Sequence, residues 1–351
     1  MRSFDTIDRT LNVGILGYGR VASFHIKALE HFPDNLKFTA VCDLNESVRK
    51  KVSEEFKVKA YACYEEMLAD PEIDLITLCT PSGLHAGQVI QAARAGKHVI
   101  TEKPMATRWQ DGVDMIKACD EAGVRLFVVK QNRYNETLQL LKQAVMDNRF
   151  GKIYMANLNV YWHRTQDYYD LADWRGTWEF DGGAMMNQAS HYMDLLRWLV
   201  GPVDRVHAMM STLARQIEVE DTAVLNIRWR SGTLGSVNIT NLVHDKDYEG
   251  SITLIGETGR VKIGGKALNK VEDWVFETEH DSDKKVFDSN YETDSVYGFG
   301  HIHYYQNVID VFQGKASPET DGREGLKTLE LLIAAYQSAR DHREVGLPLV
   351  L

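Results

Sequence analysis

A predicted strand that ends in Glu102-Lys103-Pro104 carries the strongest candidate for chemistry in this sequence. Residues 97–101 read as a short strand, and the proline that follows has no backbone N–H and restricts the residue before it. Lys103 should therefore stand at the carboxyl end of a strand, the edge at which open α/β sheets bind ligands. An amine fixed there can polarise or deprotonate a substrate hydroxyl; a plain surface lysine at a strand end is the alternative.

A glycine-rich loop, G-x-G-x-x-A, lies between a predicted strand at 11–16 and a predicted helix at 20–31. Gly17 permits the tight turn, Gly19 lets a pyrophosphate approach the backbone, and Ala22 lets the helix pack closely on the strand. The helix N-terminus adds N–H donors and the positive end of its dipole. Strand, turn and helix in this order predict a dinucleotide site.

The second predicted strand, residues 36–42, ends at Asp43, where the ribose-binding carboxylate of such a site is expected, about 20 residues after the loop. Asp43 would accept hydrogen bonds from the adenosine ribose and repel a 2′-phosphate, so NAD is favoured over NADP. In the alternative interpretation Asp43 only caps the helix that begins near Leu44 or Asn45, because aspartate is a common N-cap.

The segment Thr80-Pro81-Ser82-Gly83-Leu84-His85 directly follows a predicted strand at 73–79. Its backbone N–H groups and the Ser82 hydroxyl would lie at the cofactor edge of the sheet and could contact ribose or phosphate. A strand–helix turn with an N-cap at Ser82 explains the same residues equally well.

A second chemical segment is Gly182-Gly183 followed by Asn187 and His191. The glycines permit close backbone approach, and the i, i+4 spacing of Asn187 and His191 predicts that they share one helical face. Histidine can take up a proton near neutral pH, so His191 is a candidate general base. A structural histidine at the start of a helix is the alternative.

Residues 161–178 are rich in aromatic and basic side chains, among them Arg164, Tyr168, Trp174 and Arg175. Such residues suit a nucleotide or sugar surface, through stacking and bidentate contacts with phosphate or carboxylate. A loop that covers the core, or a subunit contact, is the alternative. His301 and His303 have no carboxylate or thiol at ligand spacing, so no metal site is expected.

The elements that must position these residues change in kind near residue 130. Strands alternate with helices before it, which predicts a parallel sheet, whereas apolar and polar residues alternate along later strands, which predicts an antiparallel sheet with one covered face. The predicted later strands are 155–162, 203–213, 223–229, 233–240, 251–255 and 260–263. The predicted helices are 45–56, 64–69, 84–95, 107–121, 138–146, 191–200, 302–313 and 324–340.

Composition narrows the function classes. The 351 residues carry a net charge of −10, which argues against nucleic acid and anionic membranes as partners and requires local Arg and Lys to hold an anionic substrate. No apolar run approaches the roughly 18 residues of a membrane span, and the polar N-terminus is not typical of a secretory signal. The four cysteines, none in a C-x-x-C pair, fit a reducing cytoplasm.

These segments occur in an order and at separations that resemble the glucose–fructose oxidoreductase/inositol dehydrogenase (Gfo/Idh/MocA) family over essentially the whole chain, including the tail from Asp321 to Glu330. The resemblance implies an α/β protein with an N-terminal Rossmann domain at 1–130. A C-terminal α/β domain at 131–351, built on a large, mostly antiparallel open sheet, would bind substrate and oligomerise. It also implies a nicotinamide cofactor and catalytic roles for Lys103 and His191. The family usually has aspartate where this chain has Asn187.

Residues 129–133 and 174–183, together with Asn187, resemble one branch of that family, the UDP-N-acetylglucosaminuronate 3-dehydrogenases. The resemblance implies NAD-dependent oxidation of the C3 hydroxyl of UDP-N-acetyl-2-amino-2-deoxy-D-glucuronate in bacterial O-antigen and lipopolysaccharide synthesis. The 3-keto sugar would pass to an aminotransferase. His191 would be the base and Lys103 would hold the hydroxyl, or the two roles are reversed. A dehydrogenase of a free sugar or polyol and a non-catalytic NAD-binding sensor are the alternatives.

The motifs and the resemblance together assign the following residues. The catalytic candidates are Lys103, His191 and Asn187. The cofactor-binding candidates are Gly17, Tyr18, Gly19, Arg20, Val21, Asp43, Thr80, Pro81, Ser82, His85, Glu102, Lys103, Gln131, Trp174 and Arg175. The substrate-binding candidates are Lys103, Arg164, Arg175, Tyr168, Asn187 and His191. We further expect a homo-oligomer, with a tetramer favoured, through the C-terminal sheet.

Overall fold

The computed structural model describes residues 6–293 and 298–349, and these group into two units. The first unit contains the described residues up to Lys130 together with His301–Leu329. The second contains those of Gln131–Gly300 and of the segment from Glu330 onward.

A six-stranded parallel sheet forms the centre of the first unit, in the order β3-β2-β1-β4-β5-β6. Its strands are β1 (Leu11–Leu16), β2 (Leu36–Cys42), β3 (Lys59–Tyr61), β4 (Leu75–Leu78), β5 (His98–Thr101) and β6 (Leu126–Val128). The central strands are short apolar runs that are buried on both faces, as the interior of a parallel sheet requires. The strand order reverses between β1 and β4, so a ligand site is expected beside the carboxyl ends of these two strands.

Five helices in the described part of the chain connect these strands. They are α1 (Ala22–Leu29), α2 (Glu46–Phe56), α3 (Tyr64–Ala69), α4 (His85–Arg94) and α5 (Trp109–Ala122). Of these, α2 and α5 have clear boundary signals. The Asn45 side chain caps α2 by accepting from the N–H groups of Ser47 and Val48, and Gly123 ends α5 in the left-handed conformation at φ +68°.

An eight-stranded sheet forms the second unit, in the order β13-β12-β11-β7-β10-β9-β8-β14. Its strands are β7 (Ile153–Tyr161), β8 (Val203–Ser211), β9 (Thr222–Trp229), β10 (Leu234–Thr240), β11 (Glu249–Gly256), β12 (Gly259–Gly264), β13 (Lys270–Phe276) and β14 (Val345–Gly346). All of these neighbours are antiparallel except β7 and β10, which run parallel.

Helices cover one face of this sheet, and alternate residues on that face, such as Ala156, Leu158 and Val160, are fully buried. The helical elements of this unit include α6 (Glu136–Met146), α7 (Gln166–Asp170), a π-helix (Ala184–Gln188) and α8 (Ser190–Val200). Helix α8 contacts β7 and is buried over most of its length. The predicted fold class, a Rossmann domain followed by an α/β domain on a mostly antiparallel sheet, is confirmed.

The structure differs from the predicted domain boundaries after residue 300, where the chain rejoins the first unit. Helix α9 (His301–Phe312) and the start of α10 (Gly322–Asp341) belong with the Rossmann sheet, whereas residues 131–351 were expected to form one domain. The physical reason is local packing: the Phe312 ring lies 5.6 Å from that of Phe127, and the Val128 N–H donates to the Thr320 carbonyl over 2.8 Å. Among the described residues, no helix combines the length and apolar character needed to cross a membrane.

Candidate active site

The glycine-rich loop has the geometry that a dinucleotide requires. Gly17 has φ +83°, and a Cβ at this position would lie 3.0 Å from the Cys79 carbonyl oxygen, so only glycine fits without strain. A Cβ at Gly19 would meet nothing closer than 4.0 Å, which leaves its backbone open to approach. Tyr18 and Val21 are half-buried, Arg20 is exposed, and α1 starts at Ala22.

Asp43 joins this loop to the end of β2. One carboxylate oxygen accepts from the Tyr18 N–H at 2.7 Å and the other from the Asn45 N–H at 2.8 Å. Because Asn45 is the residue that caps α2, the alternative in which Asp43 serves as the helix cap is wrong. A half-buried carboxylate beside an open glycine loop fits the ribose and pyrophosphate of NAD.

The turn after β4 is built differently from the prediction. Ser82 begins a 3₁₀ turn, Ser82–Leu84, whose N-cap position is Pro81, so Ser82 is not the N-cap that the turn alternative expected. His85 is fully buried, with Nδ1 2.9 Å from the Pro104 carbonyl oxygen and Nε2 3.0 Å from that of Thr80. The buried His85 ring therefore lies between this turn and the segment of Lys103 and links the two.

Glu102 lies in a buried polar network directly before Lys103. Its Oε1 is 3.0 Å from His25 Nε2, its Oε2 accepts from the Lys103 N–H at 3.1 Å, and His25 Nδ1 is 2.8 Å from the Tyr305 hydroxyl. Burial by itself raises the pKa of Glu102, but the hydrogen bond and charge of His25, together with the charges of Lys103 and His301, lower it to about 2. The carboxylate thus holds the backbone of Lys103, which is half-buried at the end of β5.

The side chains of His25, Glu102 and His301 bring three possible metal-ligand atoms within 4.8 Å of one another. Both nitrogens of His25 already have hydrogen-bond partners, so the arrangement is that of a polar network and not of an open ligand set. His301 begins α9 and is buried, which lowers its pKa to about 3, whereas His303 is exposed.

In the second unit, a buried carboxylate explains the Gly182-Gly183 pair. Gly182 has φ +73°, and a Cβ on Gly183 would overlap the carboxylate of Glu220, 1.7 Å from its Oε2. Glu220 Oε1 accepts from the Met185 N–H at 2.8 Å and from the Tyr336 hydroxyl at 2.9 Å. Burial raises the pKa of Glu220 to about 7, against these hydrogen bonds, with a smaller contribution from the charge of Asp181. Glu220 therefore anchors the first turn of the π-helix.

Asn187 and His191 lie on either side of the junction between the π-helix and α8, not on one continuous α-helix as predicted. The π-helix is a rare form that is often found at functional sites. His191 is 7% exposed, and its Nε2 is 3.2 Å from the Gln131 side-chain nitrogen. Gln131 is itself buried, and its side chain contacts His191, the candidate base.

Asp181 is one of two residues that sequence reasoning missed, the other being Glu220. It is 1% exposed; one of its oxygens accepts from the Gly176 N–H at 2.7 Å and the other from the side-chain amide of Asn187. An acid directly before a Gly-Gly pair was the available signal. Glu220, by contrast, carried no signal, since it contacts Met185 across 35 residues of chain.

The two predicted anion-binding arginines have different surroundings. Arg164 forms an ion pair with Asp247 at 2.9 Å and lies over the Trp162 and Tyr168 rings. Arg175 is 4.3 Å from the centre of the Tyr168 ring and 4.8 Å from that of Trp174, and its buried Nε has no hydrogen-bond partner among the described residues. Arg164 is thus neutralised locally, whereas Arg175 is held by aromatic stacking.

Two family models together match most of the chain. Residues 11–130 match the NAD-binding Rossmann fold of an oxidoreductase family, and residues 142–347 match the C-terminal α/β domain of the same family. Among curated proteins, the myo-inositol 2-dehydrogenase of Thermotoga maritima is 28% identical over 96% of this chain and 98% of its own length.

Two solved structures are more similar. The WlbA dehydrogenase of Bordetella pertussis, in complex with NADH and UDP-GlcNAcA, is 53% identical over 98% of this chain and 99% of that chain, with a TM-score of 0.94. The WlbA dehydrogenase of Chromobacterium violaceum, in complex with the same two molecules, is also 53% identical, over 100% of both chains, with a TM-score of 0.95.

Proposed function

This chain belongs to the Gfo/Idh/MocA oxidoreductase family, and we propose that it is the NAD-dependent dehydrogenase that oxidises the C3 hydroxyl of UDP-GlcNAcA to the 3-keto sugar. The observation that carries the proposal is 53% identity, over essentially the full length, to two dehydrogenases whose structures contain NADH and UDP-GlcNAcA. The open glycine loop and the position of Asp43 support NAD as the cofactor.

The chemistry divides between two side chains, those of His191 and Lys103. When bound, NAD supplies the acceptor for the hydride that leaves C3. His191 takes the hydroxyl proton, since imidazole can accept one near neutral pH. Lys103 stabilises the negative charge that develops on the oxygen, an effect that can contribute a few kcal/mol. In the alternative assignment, Lys103 is the base and His191 stabilises the charge on the oxygen. Glu102 fixes the backbone of Lys103, and Gln131 contacts the ring of His191.

The substrate carries charge on its diphosphate and its carboxylate, and this acidic chain must hold it with local cations. Arg175 is the better candidate for the carboxylate, because Arg164 is already paired with Asp247. Stacking between Tyr168 and Trp174 orients the planar guanidinium for bidentate donation.

The test compares substrates and cofactors by following NADH formation. We expect turnover with UDP-GlcNAcA and NAD, at least about tenfold lower kcat/KM with UDP-N-acetylglucosamine, and much weaker use of NADP. Mass spectrometry should show a product two hydrogens lighter than the substrate. Turnover of myo-inositol or another free polyol in preference to UDP-GlcNAcA would overturn the proposal in favour of the polyol alternative. NAD binding without turnover of any sugar would favour the sensor.

Lys103→Ala and His191→Ala should retain NAD binding and lose most turnover, and the double variant should be little worse than the worse single, because groups that act as one unit give non-additive losses. Calorimetry with NAD and steady-state kinetics measure the two effects. Near-normal kcat for either single variant would remove that residue from the mechanism.

Assembly, pathway and location complete the proposal. The second sheet exposes apolar side chains along its strands, notably Met155, Met209 and Leu234, which supports a homo-oligomer through this sheet, with a tetramer favoured. Light scattering on the purified protein tests this, and a monomer at micromolar concentration would contradict it. We further propose a cytoplasmic enzyme that passes its ketone to an aminotransferase in bacterial surface-polysaccharide synthesis.

A further inference from the structure

We propose that Asp181 is a positioning residue that fixes the orientation of the Asn187 amide, so that Asn187 offers its carbonyl oxygen, and not its NH₂ group, to a hydroxyl of the sugar. The inference deepens the proposed function and rests on it, because the ligand of Asn187 is the proposed substrate.

The geometry around Asp181 leaves its hydrogen-bond directions fixed. Its carboxylate is 1% exposed, with one oxygen accepting from the Gly176 N–H at 2.7 Å and the other from Asn187 Nδ2. A carboxylate only accepts hydrogen bonds, so the side of Asn187 that faces it must be the NH₂ group. Rotating the amide by half a turn would place a carbonyl oxygen against a buried negative charge.

The orientation of Asn187 follows from this contact. With Nδ2 turned toward Asp181, the Oδ1 atom points in the other direction and can act only as an acceptor. Asn187 is half-buried, next to the junction that carries His191. A charge-assisted bond to a buried carboxylate is roughly twice as strong as a neutral one, so the orientation survives contact with a ligand.

Glu220 secures the segment that joins Asp181 to Asn187. It binds the Met185 N–H and the Tyr336 hydroxyl, and so secures the first turn of the π-helix, in which Asn187 lies. Gly182 and Gly183 connect Asp181 to that turn with no side chain of their own. Asp181 and Asn187 are therefore held at the two ends of one short, anchored segment.

The test exchanges donor and acceptor without changing shape. In Asp181→Asn, the new amide oxygen can still accept from the Gly176 N–H, which turns the new NH₂ group toward Asn187. Two NH₂ groups cannot bond to each other, so Asn187 must rotate and offer NH₂ to the sugar. In Asp181→Asn/Asn187→Asp, the new NH₂ group at position 181 donates to the new carboxylate at position 187, which again offers an acceptor to the sugar.

We expect Asp181→Asn to bind NAD as the wild type does by calorimetry and to lose at least about thirtyfold in kcat/KM for UDP-GlcNAcA, because a site built to accept from a hydroxyl now presents a donor. Asn187→Asp alone should also lose activity, because it places two carboxylates together. The double variant should exceed both single variants and recover to within about tenfold of the wild type. Calorimetry with UDP-GlcNAcA on the NADH-loaded protein should follow the same order.

Asp173→Asn is the matched control, since Asp173 is exposed in the same loop and should leave both constants unchanged. Equal kcat/KM for Asp181→Asn and the wild type would overturn the inference. So would a double variant no better than the worse single, since a purely structural Asp181 predicts additive losses that parallel the fall in thermal midpoint. If the wild type fails to turn over UDP-GlcNAcA at all, it is the proposed function that fails.

Discussion

At the scale of single residues, Arg164 and Arg175 come from the same aromatic and basic segment but have different surroundings. Arg164 is neutralised by Asp247, whereas Arg175 is stacked on Tyr168 with no hydrogen-bond partner for its buried Nε among the residues described. A guanidinium that already pairs with a carboxylate contributes little binding free energy to a second carboxylate. The aromatic and basic composition of residues 161–178 predicted a surface for an anion, but it did not distinguish these two side chains.

We therefore expect Arg175→Leu to reduce the preference for UDP-GlcNAcA over UDP-N-acetylglucosamine at least about tenfold, equivalent to about 1.4 kcal/mol. Arg164→Leu is the matched comparison: it should lower protein stability by leaving Asp247 unpaired, and it should change the preference much less. The ratio of kcat/KM values for the two sugars measures the effect. A larger change in Arg164→Leu than in Arg175→Leu would transfer the carboxylate site to Arg164.

At the scale of elements, the π-helix is positioned by a carboxylate that approaches the backbone at Gly183. We expect Gly183→Ala to displace either Glu220 or the π-helix, because the new methyl group would lie 1.7 Å from Glu220 Oε2. Gly183 has φ −92°, so backbone strain does not contribute and the effect isolates the collision. Turnover should fall at least about tenfold and stability by roughly 1–3 kcal/mol, as for other overpacked sites.

Gly87→Ala provides the control for this substitution. Gly87 lies within α4, and a Cβ there would meet nothing within 4 Å. Alanine should therefore stabilise the protein by up to about 1 kcal/mol through helix propensity, with no change in kcat. Thermal midpoints and steady-state kinetics of both variants check the pair. Wild-type kinetics in Gly183→Ala would show that the π-helix tolerates the displacement of Glu220.

The elements that sequence predicted are those with local signals. The glycine loop, β5 with its terminal proline, and the alternation along β9 each follow from neighbouring residues. Strand β3 was missed because it has three residues, two of them exposed. Glu220 was missed as a site residue because its contact with Met185 spans 35 residues of chain, which no periodicity encodes. Asp181 has a local signal, the Gly-Gly pair that follows it, which was not used in predicting the site. Helix α9 was predicted as a helix, but its grouping with the first unit depends on tertiary contacts.

At the scale of the whole molecule, two buried acids should set opposite trends in stability with pH. The pKa of Glu102 is lowered to about 2, so its contribution is present above its ordinary value of 4.5 and is lost as the pH falls toward 2. The pKa of Glu220 is raised from 4.5 to about 7, so the folded state holds this proton more tightly than the unfolded chain does. Its contribution is complete below 4.5 and is lost as the pH rises through 7. Near neutral pH, ionisation of Glu220 therefore lowers the stability of the folded state.

We expect Glu220→Gln to remove this loss, because glutamine keeps the acceptor oxygen for Met185 and Tyr336 but cannot ionise. Relative to the variant, the wild type should lose stability between about pH 5 and about pH 8, by an amount on the order of 3 kcal/mol for a pKa rise of this size. Thermal midpoints of both proteins across that range measure the difference. The exposed Glu179, changed to Gln, is the control and should give parallel curves. Parallel curves for Glu220→Gln as well would mean that the carboxyl group is already ionised in the fold, and that the first turn of the π-helix is held by a charge and not by a proton.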